Sequence, residues 1–212
     1  MERTLLLLKP DAVERGLVGE ILARVERAGM RIVALSMQLP TEDLARGHYA
    51  DDEHQLKEMG EKLLAVANAL AFSVATEFGT EDPSELGRLI FERNVEFLMS
   101  GPVVVAVVEG FNAVRKTRTL CGSTMPVDAA PGSIRGDYSS VGAERVLFSS
   151  QTVHNLVHSS DARDVSREIA HWMGLGEIAG TTEPERLRST GGSGSRLRPV
   201  GARKPSMKPD RC

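Results

Sequence analysis

GPVVVAVVEGFNAVRKTRTL, residues 101–120, is the stretch that decides how the chain is read. Residues 101–110 are the most strand-like run in the sequence, β-branched and apolar almost throughout. Asn112 to Leu120 then reads as a helix. A strand that feeds a helix is half of a repeating unit, and the amino end supplies the same pairing. Residues 3–8, RTLLLL, read as a strand buried on both faces. In 16–28, Leu17, Ile21, Leu22 and Val25 fall at helical spacing, and Gly29 follows as a stop. Residues 31–39, RIVALSMQL, are the next strand. Residues 151–158 read as a last strand and 162–173 as a last amphipathic helix. The order β-α-β, helices, β-α-loop-β-α contains two split β-α-β halves. The expected fold is therefore α/β, a ferredoxin-like α/β sandwich on an antiparallel four-stranded sheet with an extra helical insertion.

The intervening segments read less uniformly. Thr41 caps a short helix, with Leu44 inward and Glu42 and Asp43 at its positive end. Residues 53–99 read as helix interrupted once: one piece over 53–78, a break with a fresh cap over 79–85, and a second piece over 86–99. The Gly/Pro-rich stretch 121–140 shows no periodicity and reads as a loop, and a loop that long in a compact domain is usually functional or disordered. After Trp172 the composition changes. Residues 174–212 hold seven glycines, four prolines, no aromatic residue, and eight Lys and Arg against four Asp and Glu. That is the composition of a disordered basic tail. The domain is expected over 1–173, with 53–93 as a helical insertion or lid and 174–212 as the tail.

The totals narrow the class. With 212 residues, 41% of them apolar and 26% charged, the chain is long enough to bury a core without staples. A net charge of −3 points to neither nucleic acid nor membrane. Four consecutive leucines before Lys9 are too few for a membrane span or a signal core. The two cysteines, Cys121 and Cys212, make no disulfide framework, so a reducing cytoplasm is the expected location.

Phosphate-binding glycine loops, CxxC pairs and HExxH are absent. His154 and His158 lie four apart, but no nearby Cys or Glu completes a metal set. What remains is a dispersed constellation. Lys9 closes the first strand and precedes Pro10, His158 closes the last, and Arg118, Thr124 and Arg135 lie in or beside the long loop. Guanidinium forks and a lysine suit a polyphosphate. A histidine can carry a phosphoryl group covalently, which splits one transfer into two displacements. Each residue also has a plain structural alternative: His158 as a hydrogen-bonded histidine at the core edge, Arg135 as the partner of Asp137, and Lys9 as a side chain emerging into water.

Taken together, the amino-terminal ERTLLLLKPDAVERGLVGEILARVERAGMRIVALSM, SGPVVVAVVEG, PGSIRGDY and NLVHSSD resemble the nucleoside diphosphate kinase family, in that family's order. The resemblance implies a ping-pong phosphotransferase that moves the γ-phosphate of a nucleoside triphosphate to a nucleoside diphosphate through a phosphohistidine. Mg2+ would accompany the nucleotide. It implies that His158 is the phosphorylated residue, with Ser160 and Glu168 as the pair supporting it and Tyr49 beside its ring. Lys9 and Asn155 would reach the sugar and phosphates. Arg118, Thr124 and Arg135 would form the phosphate-binding set. Phe91 is the candidate for the aromatic that stacks on the base. It also implies a homo-oligomer, hexamer or tetramer, with no membrane or nucleic-acid partner. The alternative is a nucleotide-binding relative that no longer transfers phosphate and serves regulation or scaffolding. Three positions depart from the family's pattern. Ser159 stands where glycine usually follows the histidine, Ala12 stands where KPDGV is usual, and fifty residues separate Tyr49 from Ser100 where about twenty are usual. If the position of Ala12 requires a positive φ, alanine costs about 1 kcal/mol.

Overall fold

A computed structural model describes residues 1–49, 52–149 and 151–174. The two apolar runs pair with each other: β1 (Glu2–Leu8) and β3 (Val103–Gly110) are antiparallel, from Glu2 opposite Gly110 to Leu8 opposite Val104. β2 (Arg31–Gln38) lies outside β3, and β4 (Val157–Ser159) lies outside β1, giving the antiparallel order β2-β3-β1-β4. The continuous hydrophobicity of β1 and β3 follows from this central position, because alternate residues enter different cores. Leu6, Leu8, Val104, Ala106 and Val108 pack with Ile21 and Val25 of α2 (Val18–Arg27). Leu5, Leu7, Val103, Val105 and Val107 pack on the other face with Ile169 and Trp172 of α10 (Val165–Met173) and with Val95 and Leu98 of α6 (Pro83–Met99).

The remaining helices are α1 (Pro10–Glu14), α3 (Glu42–His48), α4 (Glu53–Ala69), α5 (Val74–Phe78), α7 (Ala113–Cys121), α8 (Ile134–Tyr138) and α9 (Glu144–Ser149). Thr41 caps α3 as expected, accepting from the backbone of Leu44. The helix expected over 53–78 is two. It stops at Leu70, Ala71 takes a left-handed φ of 51°, and Ser73 caps a new start by accepting from Thr76. The second piece begins at Pro83 rather than Leu86, because Asp82 caps it and Pro suits a first helical turn. The stretch 121–140 is not structureless, since it holds a 3-10 turn at Pro126–Asp128 and then α8. The strand expected over 151–158 is only three residues long, and α9 precedes it. Ala12 lies inside α1 without a positive φ, so alanine is unstrained there.

α4 and α6 cross at two glycines. A Cβ on Gly60 would fall 1.9 Å from the Pro83 carbonyl oxygen, and one on Gly87 would fall 1.8 Å from that of Leu56. The two backbones therefore approach where any side chain would hold them apart. This brings Leu63 and Ala67 of α4, Leu86 of α6 and Val146 and Leu147 of α9 into a third apolar cluster. Among the described residues, no helix is long and apolar enough to cross a membrane. The expected tail lies, beyond Gly174, outside the described residues.

Candidate active site

A strained turn presents His158. Asn155 and Val157 are joined by a Val157 N–H to Asn155 O hydrogen bond of 2.7 Å across Leu156, whose φ is 68°. A three-residue turn with positive φ is costly for leucine, and such strain persists only where the surroundings impose it. They do so here on three sides. Leu156 is fully buried, its N–H donates to Asp11 Oδ2 at 3.0 Å, and its carbonyl accepts from Lys9 N at 2.8 Å. Asp11, in the KPDA stretch, was not singled out in the sequence, and its carboxylate is what fixes the turn.

His158 pairs across the sheet with Leu7 and turns its ring toward α10. Its Nε2 lies 2.9 Å from Glu168 Oε2, and Ser160 Oγ donates to the same oxygen at 2.5 Å. A carboxylate can only accept, so Nε2 carries the imidazole proton and Nδ1 is left with a free lone pair. Burial alone would push the Glu168 carboxyl up. The hydrogen bond from His158, the electrostatic attraction of its ring, the hydrogen bond from Ser160 and the nearby Arg167 outweigh it and hold the group below the usual carboxylate range.

The phosphate side is cross-linked before any ligand arrives. Lys9 Nζ donates to Asn155 Oδ1 at 2.8 Å, and Asn155 Nδ2 donates to the Thr124 carbonyl at 2.9 Å. Burial and the neighbouring Arg135 push Lys9 down to about 8, against a smaller upward pull from Asp11. Arg135 does not pair with Asp137, which is held by Arg24 at 2.6 Å. Instead its guanidinium donates to four carbonyls: Asn155 at 3.0 Å, Gly122 at 2.8 Å, Ser123 at 3.2 Å and Val157 at 2.5 Å. Arg135 therefore ties the long loop to both sides of the strained turn. Arg118 is half-exposed and pairs with Asp161 at 2.7 Å.

These groups open onto one cavity of about 1370 Å³. Lys9, Arg118, Thr124, Arg135, Asn155 and His158 all line it. Its cations, with Lys62 and Arg115 added, face only two carboxylates in the lining, Glu2 and Asp161. The other part of the wall is aliphatic, formed by Met59, Leu63 and Val66 of α4, Ile90 of α6, Val146 of α9 and Val153.

Two expectations are corrected. Phe91 does not line the cavity. It is 6% exposed and packed in the core beneath α3, edge-on to Tyr49 at 6.4 Å, while its neighbour Ile90 faces the cavity. Consecutive helical residues point about 100° apart, so only one of the two can face inward. Tyr49 lines the cavity, with a buried hydroxyl that lacks a hydrogen-bond partner, and burial pushes that phenol up. The ring beside His158, however, is that of His48, edge-on at a centroid distance of 4.4 Å, and Tyr49 stands against His48 at 4.8 Å. The sequence reading passed over His48; its only signal was a histidine directly before the tyrosine. Burial, then the charges of His158, Lys9, His171 and Arg167, hold His48 well below the usual histidine value.

Ser159 is half-buried and lines the cavity next to His158. His154 stacks on Phe97 at 4.3 Å, away from any metal set. Ligand atoms of His48, His158 and Glu168 lie within 4.8 Å of one another, a group that can bind a transition metal, but His158 and Glu168 in it are already bonded to each other.

Comparison with known proteins shows the family. A model of the nucleoside diphosphate kinase family matches residues 2–76 and 80–178. A nucleoside diphosphate kinase of Pyrobaculum aerophilum is 44% identical over 179 residues, covering 84% of this chain and 98% of the relative. One of Saccharopolyspora erythraea is 41% identical over 173 residues, covering 81% and 96%. The crystal structure of an NDP kinase from Pyrobaculum aerophilum superposes with a TM-score of 0.78 over 81% of this chain and 94% of that one. A transition state mimic of the Borrelia burgdorferi enzyme, with bound vanadate and ADP, superposes with a TM-score of 0.63 at 29% identity, covering 86% and 93%.

Proposed function

The chain belongs to the nucleoside diphosphate kinase family and is a phosphotransferase, and on that premise we propose that its transfer runs through a phosphohistidine at His158. In the first half, Nδ1 attacks the γ-phosphorus of a nucleoside triphosphate. The N–P bond forms, the bond to the bridging β–γ oxygen breaks, and the diphosphate leaves with that electron pair. The Nε2 proton stays on the nitrogen and its bond to Glu168 strengthens as the ring gains positive charge. In the second half, a terminal oxygen of another nucleoside diphosphate attacks the same phosphorus and His158 is regenerated. Phosphoryl transfer of this kind depends on positioning and charge neutralisation, and Lys9, Arg118 and Thr124 supply both. The Nε2–Glu168 hydrogen bond carries this reading, because it frees Nδ1.

Mg2+ is proposed to arrive on the nucleotide phosphates and to neutralise their charge. Asp161 is the one carboxylate of the lining in contact with the phosphate-side cations, which suits an ion held mainly by phosphates and water. The aliphatic wall, without aromatic stacking, is proposed to take the base, with α4 acting as a lid. The neutral Tyr49 hydroxyl is proposed as a donor to the nucleotide.

A homo-oligomer is proposed from β2. It is an edge strand whose alternate residues Val33, Leu35 and Met37, with Leu39 just past its end, are 38%, 54%, 60% and 71% exposed on one face. A second copy, related by a two-fold axis, would cover that stripe. Sedimentation of Leu35→Asp/Met37→Asp should show a smaller species than wild type. The buried, free Cys121 thiol suits a reducing compartment, and the cytoplasm is proposed.

The decisive experiment exposes wild type and His158→Ala to γ-labelled ATP and then to GDP. Acid-labile label on wild type alone, moving to GTP on the chase, is the expected result. An unlabelled, folded wild type that still binds nucleotide would replace this reading with a binding-only role.

A further inference from the structure

His48 belongs to no part of the proposed transfer, yet it is 4% exposed and lies against the nucleophile. Its surroundings determine its chemical state. Trp172 Nε1–H donates to His48 Nδ1 at 3.2 Å, so Nδ1 is the acceptor and the ring proton is on Nε2. That Nε2 is buried and has no hydrogen-bond partner. A buried ring nitrogen left unsatisfied beside a reactive group calls for an explanation.

One hydrogen bond cannot hold an imidazole in position. The Nε2–Glu168 bond pins one corner of the His158 ring and leaves it free to swing about that bond. The His48 ring stands at 85° to the His158 ring with centroids 4.4 Å apart, which blocks the swing. Both constraints come from one helix. Glu168 and Trp172 are four residues apart on α10 and share a face. Glu168 grips His158 directly, and Trp172 grips it through His48. The helix is in turn docked on α3 by His171, whose Nε2 bonds the Leu44 carbonyl at 2.8 Å, and by its ring packed where a Cβ on Gly47 would come within 2.5 Å.

We propose that His48 is a positioning residue for the transfer: locked by Trp172 as its neutral Nε2–H tautomer, it walls the His158 ring so that Nδ1 points into the cavity. This rests on the reading of His158 as the phosphorylated residue. It makes a particular demand on kinetics. His48 does not line the cavity, so losing it should leave nucleotide binding alone and slow the chemical step.

The test measures single-turnover labelling by γ-labelled ATP, nucleotide affinity, and ring-nitrogen NMR of histidine-labelled protein, in wild type, His48→Ala, His48→Phe and Trp172→Phe. Wild-type labelling first checks the His158 reading itself; if it fails, that reading falls whatever the variants do. With wild type labelled, His48→Ala should label roughly 10- to 100-fold more slowly at saturating ATP, the scale of a displaced reacting group. Its nucleotide affinity should stay within about twofold of wild type, as expected of a group remote from the cavity. His48→Phe restores a perpendicular ring and should recover most of the rate. Trp172→Phe removes the anchoring N–H together with part of the buried ring system; His48 should then show mixed tautomers and labelling should slow several-fold. Wild-type rates in both His48→Ala and Trp172→Phe would overturn the proposal, as would equal losses of rate and nucleotide affinity. Should His48→Ala fail to fold, an unchanged rate in Trp172→Phe would overturn it alone.

Discussion

The two ends of the cavity are built by opposite means. At the end around His158 several polar groups are tied to one another in advance: Lys9 to Asn155, Asn155 to Thr124, Arg135 to four carbonyls, Leu156 to Asp11. At the far end the apolar side chains of Met59, Leu63, Val66, Ile90, Val146 and Val153 make the wall. The first end holds atoms in place and has little room to adapt. The second is held by non-directional packing of side chains from α4, α6 and α9, which can shift as a unit. The difference fits substrates whose phosphates are invariant and whose bases are not.

Removing Arg135 should have the largest effect. Arg135→Met leaves four carbonyls without their donor, and hydrogen bonds to a charged group are worth about 1.5–3 kcal/mol each. Stability should fall by more than about 3 kcal/mol, with labelling of His158 lost even under conditions where the protein remains folded. Denaturant titration and the labelling assay check this; a mild loss would mean the turn is held by Asp11 alone.

At the apolar end the loss should be smaller and of another kind. Leu63→Ala, at a side chain 5% exposed, should cost about 2–3 kcal/mol as a large-to-small core change. KM should rise for all nucleotides in proportion, with little change in the labelling rate at saturation. A base-dependent change in KM would show that this wall discriminates after all.

Lys9 sharpens the contrast through pH. It loses its proton near pH 8 in the free protein, while a bound polyphosphate favours the charged form. Below pH 8 affinity should be flat. Above it, binding must take up a proton, and affinity should fall by up to about tenfold per pH unit. Isothermal titration between pH 7 and 9.5 in two buffers of different ionisation enthalpy would detect the proton uptake; Lys9→Arg should remove the slope.

The smallest effect is expected at Ser159. Its side chain is small and half-buried, so Ser159→Gly should change stability by under about 1 kcal/mol and leave the labelling rate within a factor of two. A large gain in rate would mean that the side chain does crowd the phosphohistidine.

Much of this was legible in the chain. Runs such as LLLL, residues 5–8, and VVVAVV, residues 103–108, are apolar at every position because β1 and β3 are covered on both faces, and that condition shows directly in composition. The grouping of His158, Ser160 and Glu168 is implied by the family resemblance rather than by spacing; in the fold the three meet across one strand end and one helix turn. Phe91 was misplaced because spacing before Ser100 does not say which of two adjacent helical residues turns inward. The strand over 151–158 was overextended because Asp11, a distant carboxylate, bends the chain at Leu156. The 53–78 helix was read as unbroken because nothing local announces that Ala71 takes a left-handed φ.

The sequence by itself determined the order of the elements and the two-sided burial of the central strands, because periodicity and residue type act over a few neighbours, and its motifs carried the family resemblance that points to His158. The tertiary structure decided the rest. It made Arg135 a tie for the turn, put His48 rather than Tyr49 against the nucleophile, and brought α4 onto α6 through Gly60 and Gly87. Each of these depends on a partner distant in the chain, and side-chain hydrogen bonds, ring contacts and backbone approaches at that separation leave no mark in local sequence.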